Sequence, residues 1–224
     1  MSARRVLRTG GLRFDGVDDY VSVSDSPSLK NFPNGISITA FVKRDRLGSS
    51  MVVGKNNSYL LGFSSDLIYF NAYDGSAWYA ATFSTTSVAD FAWHHIAATF
   101  DSSDKTVRLY LDGGIVATNV LTKYVVAPST YPLTVGYMYA WASVWYFNGL
   151  IGEVCIYNRA LSAEEIGDIY NKNAFIKDGL VLCLEFTEYG GATAYDKSGY
   201  GNHGTIYGAE WVIKKASRVL SKVR

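Results

Sequence analysis

Short runs in which apolar and polar residues alternate recur along almost the whole chain, each closed by Gly, Asp, Asn or Ser. A period of two places successive side chains on opposite faces of an extended strand, so the pattern predicts strands with one buried and one wet face. Residues 20–24, 36–43, 58–63, 67–73, 78–83 and 94–100 all follow it. Over residues 105–112, Val107, Leu109 and Leu111 alternate with Arg108 and Tyr110, which predicts a buried face for the first set and a wet one for the second. Asp112-Gly113-Gly114 then reads as a hairpin turn into residues 115–120. One helix is predicted. Ser162 as N-cap, Glu165 three residues on, and Leu161 with Ile166 at the staple positions form a capping box that starts a helix running to about Lys172. Its expected place is across an end of the sheets, linking two strands.

Strict alternation returns after the helix. In residues 179–186, Leu180, Leu182, Leu184 and Phe186 share one face, and Val181, Cys183 and Glu185 the other; in residues 152–157, Val154 and Ile156 oppose Glu153, Cys155 and Tyr157. If these two strands are neighbours, both cysteines lie on one face. They then either form a cross-strand disulfide or stand as two free, half-buried thiols, the plainer expectation.

Composition narrows the class. A chain of 224 residues with 15% aromatic and only 18% charged residues, 17 tyrosines and 21 glycines suits many short strands joined by glycine turns. Its length fits one large all-β domain or two small ones, and no disulfide framework is needed to hold it. A net charge of +1 supplies no global field for nucleic acid or acidic membranes, so nucleic acid is not an expected partner and recognition must be local. No stretch approaches the ~20 apolar residues of a membrane span, and no signal peptide is visible at the start. Arg4, Arg5 and Arg8 with Lys214, Lys215, Arg218, Lys222 and Arg224 concentrate positive charge at the two ends, which read as solvated tails.

Four segments together resemble the laminin-G-like, concanavalin A-like lectin and glucanase jelly-roll domains. They are residues 12–21 (LRFDGVDDYV), 93–101 (WHHIAATFD), 148–162 (NGLIGEVCIYNRALS) and 196–204 (DKSGYGNHG). The resemblance implies an all-β fold, a two-sheet antiparallel jelly-roll sandwich with one short helix, occupying residues 1–224 as a single domain. The order of segments departs from the family, because residues 179–212 resemble strands that usually come first. Three explanations stay open: circular permutation, strand exchange with a second copy of the chain in a homo-oligomer, or a fragment of a tandem array. Residues 3–7 (ARRVL) and 216–220 (ASRVL) are near copies, as though a duplicated junction had been cut.

The resemblance also implies calcium at Asp15, Asp18 and Asp19, where a glycine-containing turn lets carboxylates and carbonyls converge, with Glu153 as a further ligand if its strand lies beside the turn. The competing reading is a turn braced by its own aspartates. Gly152 stands where family members often carry another aspartate. His94 and His95 point to opposite faces of a strand and cannot share an ion; His203, in a turn, reads as a loop brace. The alternating carboxylates that the glucanases of this fold use are not present as an E-x-D-x-x-E run, nor is a serine elbow or a phosphate loop, so the chain is not expected to be an enzyme.

Binding is the expected work. Residues 137–147 (YMYAWASVWYF) hold six aromatics, and Trp78 and Tyr79 form a second group after the turn Asp74-Gly75-Ser76. Flat rings suit sugar faces and protein anchors alike. The expected ligand-binding residues are therefore Trp78, Tyr79, Tyr139, Trp141 and Trp145, in a carbohydrate-binding module; the alternative is a structural subunit of a virion, filament or cell-surface assembly. Either implies an extracellular, cell-surface or virion setting. A plain hairpin packed on the sandwich is the remaining reading of residues 137–147.

Overall fold

A computed structural model of the protein describes residues 10–65, 67–84, 91–121, 126–140 and 143–212. The near-copied segments 3–7 and 216–220, the basic ends and Trp141 lie outside the described residues. The first strands are β1 (Gly11–Asp15), β2 (Tyr20–Val23), β3 (Gly35–Arg44), β4 (Ser50–Lys55), β5 (Tyr59–Ser64) and β6 (Leu67–Tyr73). They are followed by β7 (Trp78–Ser84), β8 (Trp93–Asp101), β9 (Thr106–Leu111), β10 (Gly114–Val120), β11 (Leu133–Val135) and β12 (Tyr137–Ala140). Then come β13 (Ser143–Tyr146), β14 (Asn148–Tyr157), helix α1 (Ala163–Lys172), β15 (Leu180–Leu184), β16 (Thr193–Ala194), β17 (Gly204–Tyr207) and β18 (Glu210–Val212).

Two antiparallel eight-stranded sheets face each other. Sheet I runs β10-β9-β8-β3-β14-β1-β18, and β15 continues the edge of β14 that β1 begins. Sheet II runs β16-β17-β2-β11-β4-β5-β6-β7, and β12 with β13 forms a separate hairpin. The core lies between the sheets, where Ile36, Ile38, Val107, Leu109, Val154 and Ile156 of sheet I meet Tyr59, Leu61, Phe63, Ile68 and Phe70 of sheet II. Each such fully buried side chain stabilises the fold by about 1.5–3 kcal/mol over its exposed state.

The expected alternation holds wherever one face of a strand is wet, and fails where both are covered. Tyr110, expected on a wet face, is buried, because Leu161 and, from α1, Ile166 and Ile169 lie over the outer face of sheet I. The helix thus covers a face of the sandwich rather than an end. Its start is the predicted capping box: Ser162 accepts from the Glu165 amide at 3.1 Å and Glu165 accepts from the Ser162 amide at 2.8 Å. The turn between β9 and β10 has left-handed backbone at both Asp112 and Gly113 (φ 50° and 81°), the geometry that a two-residue hairpin needs.

The C-terminal segment completes both sheets within its own chain. Strand β15 pairs with β14, β17 with β2, and β18 with β1, so Gly11 and Val212 are strand partners. A register shift after Ile156 breaks the alternation expected for residues 179–186. Leu180 turns to the helix-covered face and Val181 into the core, because a bulge reverses which face the following residues meet. Cys155 and Cys183 are opposite each other with Cα atoms 4.1 Å apart, and they are disulfide-bonded rather than free thiols.

Candidate functional site

The outer face of sheet II gathers the aromatic residues. Odd-numbered positions of β6 point outward, so Tyr69, Asn71 and Tyr73 stand in one row, while Phe70 and Ala72 enter the core. Across β7, Ala80 is the partner of Asn71 and Trp78 the partner of Tyr73. The β6–β7 turn that sets this register is built by Asp74, whose carboxylate accepts from the Ser76 hydroxyl and the Ser76 and Ala77 amides at 2.7 Å each. Those bonds, the Ser76 hydroxyl foremost, hold the Asp74 carboxyl far below the usual carboxylate range.

Over this face folds the β12–β13 hairpin. Met138 and Trp145 are cross-strand partners on its underside and pack with Met51, Leu60 and Tyr69; Trp78 joins the same cluster. Gly54 makes the approach possible, since a Cβ there would lie 3.0 Å from the Met138 sulfur. Tyr69 and Trp145 meet edge to face with centroids 5.8 Å apart, and Tyr73 and Trp78 tilt together at 5.1 Å. Between them sit two buried polar atoms, the Tyr69 hydroxyl and the Asn71 Oδ1, which have no hydrogen-bond partner among the described residues. Burial pushes the Tyr69 phenol well above its usual range. The cost of an unpaired buried polar atom is about 1–3 kcal/mol.

The other side of the hairpin looks away from the sheet. Tyr139 and Val144 are partners there, 53% and 49% exposed. At its base Tyr137 and Tyr146 stack at 4.9 Å, and Tyr137 continues to Tyr20 at 5.5 Å and from Tyr20 to Tyr207 at 4.6 Å. This run of four rings leads to the turn of Asp15, Asp18 and Asp19, whose carboxylate oxygens lie within 4.8 Å of one another. Asp15 accepts from the Val17 amide at 2.8 Å and Asp19 from the Asp15 amide at 2.8 Å, so the aspartates brace their own loop. Asp19 is buried and its pKa is raised, by that burial first and then by Asp15, Asp18 and Glu210. Against it lies Gly208, where φ is +73° and a Cβ would meet the Asp19 carboxylate at once.

The expected sites are therefore partly brought together and partly separated. Trp78 and Trp145 share one cluster. Tyr79, next to Trp78 on the strand, turns to the core and donates to Asp74 at 3.2 Å, and Tyr139 faces away from Trp145. Strand β14 does lie beside the aspartate turn, but Asn148 is opposite Asp15, and Glu153 is five residues on, about 16 Å along an extended strand. Glu153 instead neighbours Cys155 and Cys183. His94 bonds Asp112 at 2.9 Å while His95 packs on Phe41 and Tyr170 on the opposite face. His203 accepts from the Asp196 amide at 3.0 Å, and Asp196 in turn gathers the Cys183, Ser198 and Asn202 amides. Tyr69, Asn71 and Tyr73 were readable as one face of an alternating strand; the tyrosine run from Tyr207 to Tyr146 depends on register between distant segments.

Comparison with solved structures finds the same architecture. A Bacteroides ovatus protein described as a "putative carbohydrate binding protein" superposes with a TM-score of 0.72 at 15% identity over 92% of this chain, which spans 61% of that protein's length. The sialidase module CBM40 of Ruminococcus gnavus, bound to α2,3-sialyllactose, gives 0.59 at 19% identity over 71% of this chain and 96% of that one. A heptameric pentraxin from Limulus polyphemus gives 0.58 at 11% identity, covering 78% and 91%. No curated protein matches the chain by sequence. At these identities the likeness carries the fold alone. The family model for the concanavalin A-like lectin/glucanases superfamily matches residues 15–167, about two thirds of the chain, and the protein belongs to that superfamily.

Proposed function

We propose that this domain is a non-catalytic carbohydrate-binding module whose ligand lies against the outer face of sheet II, at Trp78, Trp145 and Tyr73. The observation that carries the reading is the gathering of these rings around Asn71 on the face that, among the described residues, a two-stranded hairpin covers. Aromatic faces stack on the apolar face of a pyranose, and an amide between them supplies orientation. The Bacteroides and Ruminococcus proteins support it by analogy of fold. Glycan-array screening followed by calorimetry tests it: Trp78→Ala and Trp145→Ala should each abolish the signal at array concentrations, and unchanged binding by both variants would overturn the proposal.

Calcium enters this reading as a structural ion at Asp15, Asp18 and Asp19, without Glu153. Its support is the convergence of three carboxylates and the raised pKa of Asp19, which a cation would relieve. Added Ca²⁺ should raise the Tm of the wild type and leave that of Asp19→Asn unmoved. The extracellular or cell-surface setting is supported by the disulfide. Circular permutation is supported by the pairing of Gly11 with Val212, which puts the ends of the described chain side by side.

The second reading, a subunit of an assembly, rests on the exposed pair Tyr139 and Val144. Light scattering at high protein concentration separates the two: a monomer that binds glycan fits the module, and a multimer dispersed by Tyr139→Ser fits the subunit.

A further inference from the structure

The outer face of sheet I holds a second cluster of ligating side chains that carbohydrate binding does not use. Antiparallel pairing places Cys155 opposite Cys183, and Val154 opposite Leu184. Glu153 lies one step along the same face of β14 as Cys155. The Glu153 carboxylate and the two cysteine sulfurs lie within 4.8 Å of one another, and all three residues are buried. Glu153, Cys155 and Glu185 also line a cavity of about 160 Å³ closed at its far side by Asn173 and Phe175, just past the end of α1.

The cysteine pair is held for this geometry by its surroundings. The Cys183 amide donates to Asp196 at 2.9 Å and its carbonyl accepts from the Lys197 amide at 2.8 Å, so neither backbone group bonds across to Cys155. Cys155 and Cys183 are thus a non-hydrogen-bonded pair, the kind in which side chains approach most closely. Two thiolates on one such pair can take the ~3.8 Å sulfur separation that two 2.3 Å metal–sulfur bonds at a tetrahedral angle require. The Glu153 carboxylate beside them makes three ligands, two sulfurs and one oxygen, and the adjoining cavity leaves the fourth position to water. Such a set excludes Ca²⁺ and Mg²⁺, which take oxygen alone, and favours Zn²⁺.

We propose that Glu153, Cys155 and Cys183 form a zinc site that exists only in the reduced protein, so that one position on the sandwich alternates between a disulfide and a metal. Reduction by a dithiol adds two electrons and two protons to the Cys155–Cys183 bond, the dithiol becoming a cyclic disulfide. Zinc then displaces both thiol protons to solvent and binds the thiolates. Either bridge ties β14 to β15, the strand that joins the C-terminal segment to sheet I. The inference is independent of the glycan reading, since it uses the opposite side of the molecule.

Co²⁺ titration of the full chain tests it under anaerobic conditions, after reduction and removal of the reductant. One equivalent should give thiolate-to-cobalt charge-transfer absorption in the near ultraviolet with intense tetrahedral bands in the visible, and Zn²⁺ should displace it. The oxidised protein should give neither. Glu153→Gln, which keeps the shape of the site, should weaken Co²⁺ binding at least about tenfold, or ~1.4 kcal/mol, with the sulfur absorption retained. Cys155→Ser with Cys183→Ser should remove it. Absence of thiolate absorption in the reduced wild type, equal binding by the oxidised form, or full affinity in Glu153→Gln would each overturn the site.

Discussion

The two outer faces of this sandwich are covered in opposite ways. Sheet I is sealed by an amphipathic helix whose Ile166 and Ile169, with Leu161 just before it, fill the space above Phe41, Ala97 and Tyr110, with the disulfide beside them. Sheet II carries a two-stranded hairpin that rests on Met138 and Trp145 and leaves the Tyr69 hydroxyl and Asn71 Oδ1 unpaired among the described residues. A helix buries a broad stripe and satisfies its own backbone; a hairpin buries alternate residues only and presents the rest. The first cover holds the fold together, and the second leaves a surface able to recognise something.

That contrast predicts where mutations act. Ile166→Ala should cost about 2–5 kcal/mol in urea unfolding, through the cavity left above sheet I, and leave glycan affinity untouched; a loss of affinity with it would break the division between the faces. Trp145→Ala should do the reverse, reducing affinity by about 2 kcal/mol with a smaller change in stability. Ser162→Ala, which removes the cap of α1, should cost about 1 kcal/mol, seen as a lower Tm.

Two carboxylates give the smallest and most diagnostic effects, because their signs differ. Bonds from the Arg159 guanidinium lower Glu165 from its usual 4.5 to about 2. A depressed folded pKa contributes stability above the unfolded value, so this contribution is complete above about pH 4.5 and is lost as pH falls through about 2. Arg159→Ala should therefore shift acid unfolding, followed by circular dichroism, to higher pH. Asp19, on the sheet II side, is raised mainly by burial. Its contribution is present below its unfolded pKa and declines as pH rises through the folded value, so Asp19→Asn should flatten that part of the stability curve. A variant steepening it would show that the Asp19 charge is already compensated.

The same division explains what was legible beforehand. Single strands, the Asp112-Gly113 turn and the Ser162 cap could be read because each depends on residues a few positions apart. The bulge after Ile156 was not readable, and with it went the facing of Leu180 and Val181. Tyr110 was misread because the helix that covers it lies more than fifty residues away. The candidate site was half legible: Trp78 and Trp145 do meet, but strand alternation turns Tyr79 to the core and Tyr139 to solvent.

By itself the sequence determined an all-β sandwich with one capped helix, since periodicity, turn chemistry and capping are local interactions along the chain. Only the tertiary structure decided that Cys155 bonds Cys183, that Glu153 joins them and not the aspartate turn, and that the C-terminal strands close on their own chain. Those outcomes depend on register between strands far apart in sequence. A slip of one residue would reverse every face, and only the packing of the two buried surfaces forbids it.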